Sequence, residues 1–244
     1  MHSSSFINKY FIHPLPDLGL DTYVIRKSIM RAVSDLQTKI RGNVVDLGCG
    51  IMPYKAFLKE GNQINNYIGI DLENSEYHNT EKPDKFWDGF TIPIEDNSQD
   101  WVIVTEFLEH YFDTGHILKE IKRILKPGGK IFFTVPCVYM LHEVPYDHHR
   151  FTPFSLKEYF KIAAYSKAEV FPLGGFNYSL IIMMSLWSRH SGTRGWVRIA
   201  AKYFLLLFHK QLLKEDHFYG TYTKGFTNYE NFTFPSGLWG YAEK

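Results

Sequence analysis

Hydrophobic positions along this chain repeat with two periods, and each change of period marks an element. From Asp21 to Ile40 the apolar residues Val24, Ile25, Ile29, Val33, Leu36 and Ile40 recur at helical spacing. Short apolar runs follow at Val44–Leu47, Tyr67–Asp71, within Phe86–Pro93, at Asp100–Thr105 and at Lys130–Val135, each of strand length. Between them Pro53–Lys59 and Thr114–Leu125 read as helices, the second burying Ile117, Leu118, Ile121, Ile124 and Leu125. Lys126-Pro127-Gly128-Gly129 predicts an abrupt stop there, because proline cannot continue a helix and glycine supplies the turn. Farther on, Ser155–Ala164 predicts a helix, Ala168–Leu173 a sixth strand and Leu238–Ala242 a seventh. The alternation predicts an α/β fold, a doubly wound parallel sheet with helices on both faces.

Some stretches depart from that alternation. Residues 1–20, with Pro14 and Pro16, predict an irregular lead-in, which leaves 21–244 as a single domain. Residues 73–84 are polar and loop-like. Residues 177–232 exceed what the sheet needs. There Tyr178–Trp187 is nearly all apolar, and around Trp196–Leu213 the basic positions Arg194, Arg198, Lys202 and His209 stand mostly opposite Leu205, Leu206, Leu207 and Phe208. A helical hairpin packed on its own domain, or on a second copy in a homodimer, is the plainer expectation. The sharper one is a peripheral membrane contact through 177–213. Aromatic residues crowd 203–239, where they would pack a lid or stack on sugar faces.

The strand Val44–Leu47 runs into Gly48-Cys49-Gly50, then Ile51-Met52-Pro53-Tyr54. Two glycines one residue apart allow a sharp turn and close approach of backbone to a ligand. A dinucleotide fingerprint needs a third glycine, but Pro53 stands in its place, at home in a first helical turn. Asp71 ends the next strand, about twenty residues on, where an acid accepts hydrogen bonds from ribose hydroxyls.

Composition narrows the classes. The 244 residues carry a net charge of +1 with no long basic run, so no nucleic-acid partner is expected. Cys49 and Cys137 are the only cysteines, too few for a disulfide scaffold. The first residues lack the basic and apolar regions of a signal peptide, and no apolar run reaches the roughly 18 residues of a membrane span. A cytoplasmic protein is expected, and the sequons at Asn177 and Asn231 then carry no weight.

Four blocks stand in order: Val45-Asp46-Leu47-Gly48-Cys49-Gly50; Ile92-Pro93 with Ser98-Gln99-Asp100; Phe107-Leu108-Glu109-His110; and Ile124-Leu125-Lys126-Pro127-Gly128-Gly129. Together they resemble the type 11 branch of the class I S-adenosylmethionine-dependent methyltransferases over about residues 20–172. The resemblance implies a seven-stranded Rossmann-like sheet whose last strand inserts antiparallel, with the helical insertion before it. It implies S-adenosyl-L-methionine as cofactor. Asp46, Gly48, Cys49 and Gly50 would wrap its methionine part, Asp71 with Leu72 its ribose, and Asp88 with Gly89 its adenine amino group. Thr105 and Glu106 would border the transferred methyl, while Glu109 and His110 hold the loop together at least as readily as they touch a ligand.

Beyond the fifth strand, His142, Glu143, Asp147, His148, His149 and Arg150 fall within one short loop. Ligands in doubly wound folds sit past the carboxyl ends of strands, so this loop is expected over the acceptor. His142, His148 and His149, with Asp147, are the candidate catalytic residues, since a hydroxyl acceptor gains from a base near neutrality. The alternative is an Asp147–Arg150 pair that only braces the loop. The histidine spacing fits no standard zinc pattern, and no metal is expected. The string His142…Pro145-Tyr146-Asp147…Arg150-Phe151-Thr152 resembles methyltransferases of polysaccharide and lipopolysaccharide gene clusters. That implies a small-molecule or glycan acceptor, in one version lipid-linked, methylated at oxygen. Two other readings stand beside it: an inactive cofactor-binding scaffold, and, against the missing glycine, a nicotinamide-dependent oxidoreductase.

Overall fold

Strand β1 (Gly42–Leu47) is buried from Val44 to Leu47, and it lies between β2 (Ile64–Leu72) and β4 (Gln99–Thr105) with parallel register on both sides. Val45 pairs with Ile68 on one flank and with Val102 on the other. An apolar strand buried on both faces is what a parallel sheet covered by helices requires. The computed structural model describes residues 19–60, 63–73, 82–192, 195–215 and 234–244. The expectations for 1–18, for 74–81, for the Asn231 sequon and for the aromatic residues of 216–233 lie outside the described residues.

The remaining elements are helix α1 (Leu20–Gln37), α2 (Lys55–Lys59), β3 (Lys85–Trp87), α3 (Thr114–Ile124), β5 (Leu125–Pro136), α4 (Pro153–Ile162), β6 (Lys167–Pro172), α5 (Phe176–His190), α6 (Trp196–Glu215) and β7 (Gly237–Glu243). Seven strands form one sheet in the order β3-β2-β1-β4-β5-β7-β6. It is mostly parallel, with β7 antiparallel to β5 and β6: Lys244 N donates to Gly129 O at 2.9 Å, and Ser166 N to Glu243 O at 2.8 Å. Gly240 permits the close approach of β6, since a Cβ there would stand 2.0 Å from the Glu169 carbonyl oxygen. The strand order reverses between β1 and β4, the switch point at which such sheets bind ligands.

Most element ends shift by up to three residues from the sequence expectation, and the largest difference is at the start of β5. Helix α3 ends at Ile124, and β5 begins at once at Leu125, running through Pro127-Gly128-Gly129. A register shift between Gln99 and Trp101 absorbs the irregularity, and Gly128 adopts φ +76°. Helix α3 starts where Asp113 Oδ1 accepts from His116 N, and α4 where Thr152 and Ser155 form a reciprocal capping box. Such caps are worth about 1 kcal/mol each.

The described residues divide into two compact units, one drawn from those of 33–135, 142–170 and 239–244, the other from those of 19–32, 136–141, 171–215 and 234–238. The first holds nearly all of the sheet. The second is centred on Leu20, Val24, Tyr178, Ile181, Ile182, Leu205 and Leu213. There the buried Asp21 accepts from Ser185 Oγ at 2.7 Å and pairs with Arg189 at 2.8 Å. In α6 the expected faces are corrected. Leu205, His209 and Leu213, at i, i+4 and i+8, are buried, whereas Leu207 and Phe208 are exposed. No helix among the described residues is long and apolar enough to cross a membrane.

Candidate active site

The turn after β1 is built by backbone conformation. Gly48 and Gly50 have φ of +67° and +48°, and a Cβ on Gly48 would lie 2.3 Å from the Phe107 ring. Gly48 N and Cys49 N both donate to Ile70 O, tying the turn to the end of β2. At that end stands Asp71. Its Oδ2 accepts from Gly50 N at 2.9 Å and its Oδ1 from Leu72 N at 2.8 Å. These two bonds orient the Asp71 carboxylate beside the turn.

Asp46 lies under the same turn, 1% exposed, accepting from Tyr67 Oη at 2.8 Å. Burial pushes its pKa up to about 7, against the lowering effect of the Tyr67 hydrogen bond. Burial also pushes the Cys49 thiol up, as do the nearby Asp46 and Asp71 charges, so Cys49 is held as a thiol and not a nucleophile. Asp88 follows β3 and accepts from Phe90 N and Thr91 N at 2.8 Å each, which holds its pKa below the ordinary range. Gly89, at φ +82°, accepts from Tyr111 Oη at 2.8 Å.

Beyond β4 the chain is strained. Glu106 occupies the left-handed region at φ +48°, unusual for a residue with a Cβ. It is fixed there from β5, because its N donates to Thr134 O at 3.0 Å and its Oε1 accepts from Thr134 Oγ1 at 2.9 Å. Thr105 pairs in register with the same Thr134. Burial raises the pKa of Glu106, and more strongly that of Glu109, to which the Glu106 charge contributes.

The loop histidines part company. His142 approaches Asp147, Nδ1 to Oδ2 3.2 Å, and meets the His110 ring at 4.7 Å between centroids. Asp147 accepts from Arg150 Nη2 at 2.7 Å and from His142 N at 3.1 Å, and the Arg150 bond above all holds its pKa well below the usual carboxylate range. His149 bonds the Phe112 carbonyl at 3.0 Å, and His148 packs edge-on against the Phe112 ring. Asp147 thus braces the loop through Arg150 and faces one of the three histidines. Sequence reasoning missed the role of Tyr67 and that of Asp84, whose Oδ2 accepts from Gly69 N at 2.7 Å. It also missed the aromatic cluster of Trp87, Phe107 and Tyr111, with centroids 6.1 to 6.3 Å apart. Its visible signal was the aromatic residue ending β3 and the two flanking the Leu108–His110 turn.

Comparison with known proteins meets this geometry from outside. A family described as a methyltransferase domain matches residues 45–133, from β1 into β5. Over those residues the chain is similar to a methyltransferase domain, and its seven-stranded sheet has the fold of S-adenosylmethionine-dependent methyltransferases. The demethylmenaquinone methyltransferase of Staphylococcus haemolyticus is 28% identical over 117 residues, 44% of this chain and 48% of that protein. The same enzyme from Bacillus cereus is 28% identical over 117 residues, 43% and 48%. The chain therefore spans about half the length of the curated relatives it matches. A SAM-dependent methyltransferase from Archaeoglobus fulgidus superposes over 100% of both chains with a TM-score of 0.55 at 16% identity. Phosphoethanolamine N-methyltransferase 2 of Haemonchus contortus, in complex with S-adenosyl-L-methionine, gives 0.52 at 16% over 99% of this chain and 60% of that one. At such identities the likeness is one of fold. The turn itself fits the cofactor of the class: no Cβ intrudes at Gly48 or Gly50, and the Asp71 carboxylate stands beside them.

Proposed function

We propose that the protein transfers a methyl group from S-adenosylmethionine to a hydroxyl of a small-molecule or glycan acceptor. The observation that carries this reading is Asp71 joined to Gly50 N at 2.9 Å at the sheet's switch point. Bound there, the cofactor supplies an electrophilic methyl on a sulfonium. Gly48–Gly50 and Asp46 hold its methionine part, Asp71 and Leu72 its ribose, and Asp88 with Gly89 its base. Thr105 and Glu106 border the methyl. These residues bind and orient, and for in-line displacement positioning supplies much of the acceleration.

The acceptor is assigned to the 136–153 loop. The family match ends at residue 133, so what the curated relatives methylate is not carried over, and the acceptor reading rests on the loop itself. Among its histidines we assign His142 to the acceptor hydroxyl, because Asp147 stands 3.2 Å behind its Nδ1 and orients the ring. His148 and His149 pack instead against Phe112. For a lipid-linked glycan, the exposed Trp196, Tyr203 and Leu207 of α6 supply a peripheral membrane contact.

Methyl-labelled S-adenosylmethionine incubated with a panel of polysaccharide precursors tests the reading. Label in an ether-linked methyl, lost in His142→Ala while S-adenosylhomocysteine still binds, is the expected result. Label in an amine or ring carbon would overturn the oxygen assignment.

A further inference from the structure

Glu109 is fully buried, and neither of its carboxylate oxygens has a hydrogen-bond partner. Buried carboxylates are ordinarily hydrogen-bonded, paired or bound to a metal, because an unmet charge away from water is costly. Among the described residues His110 Nε2 is the one cation-capable group paired with it, 3.7 Å from Oε1 and too far for a hydrogen bond. Glu109, His110 and His142 each bring one ligand-capable atom to within 4.8 Å of the others. They come from separate places, the Leu108–His110 turn and the loop after β5, so no contiguous zinc pattern announces them.

The surroundings of the two histidines are those of metal ligands. His110 Nδ1 is 3.3 Å from the Tyr146 carbonyl oxygen, which turns Nε2 toward Glu109 and toward Glu143 Oε2 at 4.0 Å. His142 Nδ1 is 3.2 Å from Asp147 Oδ2, and Asp147 is locked by Arg150. An oxygen stands behind each imidazole, as a hydrogen-bond partner of His110 Nδ1 and as a close carboxylate contact of His142 Nδ1, a placement that commonly supports a metal-bound histidine. Two imidazoles and a carboxylate suit a first-row divalent ion such as Zn²⁺.

We propose that Glu109, His110 and His142 form a divalent transition-metal site, with Asp147 positioning His142 from behind. Its role toward the acceptor rests on the function proposed above and revises one part of it: with His142 held as a ligand, the ion in place of the free imidazole would polarise the acceptor hydroxyl and lower its pKa. Occupancy does not rest on that function.

The test is calorimetric titration of untagged, chelator-treated full-length protein with ZnCl₂, beside Glu109→Gln, His142→Ala and Asp147→Asn. One equivalent should bind in the native protein, weaken by more than about 100-fold in the first two, and weaken by about 10- to 100-fold in Asp147→Asn. Co²⁺ in place of Zn²⁺ should give visible absorption that both ligand variants lose. S-adenosylhomocysteine binding, followed in every variant, reports that each is folded and tests the methyltransferase reading separately. No saturable Zn²⁺ binding to protein that binds S-adenosylhomocysteine would overturn the site, as would binding unchanged in both ligand variants. Zn²⁺ binding without S-adenosylhomocysteine binding would uphold the site and sink the proposed function.

Discussion

The acids at the β1–β2 turn and the acid beyond β4 are buried to similar depth but are treated differently. Asp46 accepts from Tyr67, and Asp71 accepts from Gly50 N and Leu72 N. The Glu109 carboxylate accepts nothing, although it is the most deeply enclosed of the three. The first cluster is completed by the fold: its acids shape the turn before any ligand arrives. The second is completed from outside, with two histidines already oriented by Tyr146 O and Asp147. Hydrogen-bond satisfaction thus separates a preorganised cradle from a group of ligands awaiting an ion.

The largest break in this contrast should come from Gly48→Ala. Its left-handed φ of +67° strains any side chain, and its Cβ meets Phe107 at 2.3 Å. We expect S-adenosylhomocysteine binding to fall by about 100-fold, roughly 3 kcal/mol, with Zn²⁺ binding unchanged in parallel titrations. Amide substitutions sharpen the contrast next. In chelator-treated protein Asp71→Asn removes an acceptor from a satisfied pair and should destabilise by about 1–2 kcal/mol, whereas Glu109→Gln replaces a carboxyl that makes no hydrogen bond and should be close to neutral. Denaturant unfolding measures both, and a loss of stability in Glu109→Gln equal to that in Asp71→Asn would erase the distinction.

A pH effect of smaller size follows from Asp46. Its folded pKa, about 7, lies above its unfolded value, so its contribution is present below the ordinary carboxylate range and is lost as pH rises through about 7. Between about pH 5 and about pH 8 the native protein should lose more stability than Asp46→Asn, as thermal melts at the two values would show. The smallest stability effect belongs to the exposed α6 face. Trp196→Ser with Leu207→Ser should change stability by less than about 0.5 kcal/mol, yet reduce co-sedimentation with anionic vesicles. Unchanged sedimentation would leave that face without a membrane role.

The cradle was legible in the sequence because its parts are local: a strand, two glycines, a helix and a second strand ending in Asp71. Spacing alone sets those positions. The start of β5 was misjudged because Pro127-Gly128-Gly129 reads as a turn, while a register shift lets the strand carry it. The buried position of His209 was hidden, since a basic residue on an apolar helix reads as solvated until its neighbours are known; here Nδ1 lies 3.0 Å from the Leu205 carbonyl oxygen. Likewise the loop's charged residues could be listed, but the meeting of His142 with His110 and Glu109, and its separation from His148 and His149, depend on tertiary contacts.

The most direct test of the cofactor assignment is calorimetric titration of the native protein and Asp71→Ala with S-adenosylhomocysteine, with NAD(H) as control. The account predicts one-site, micromolar binding of S-adenosylhomocysteine alone, abolished by the substitution. Binding of NAD(H) in its place, or S-adenosylhomocysteine affinity unchanged in Asp71→Ala, would contradict it.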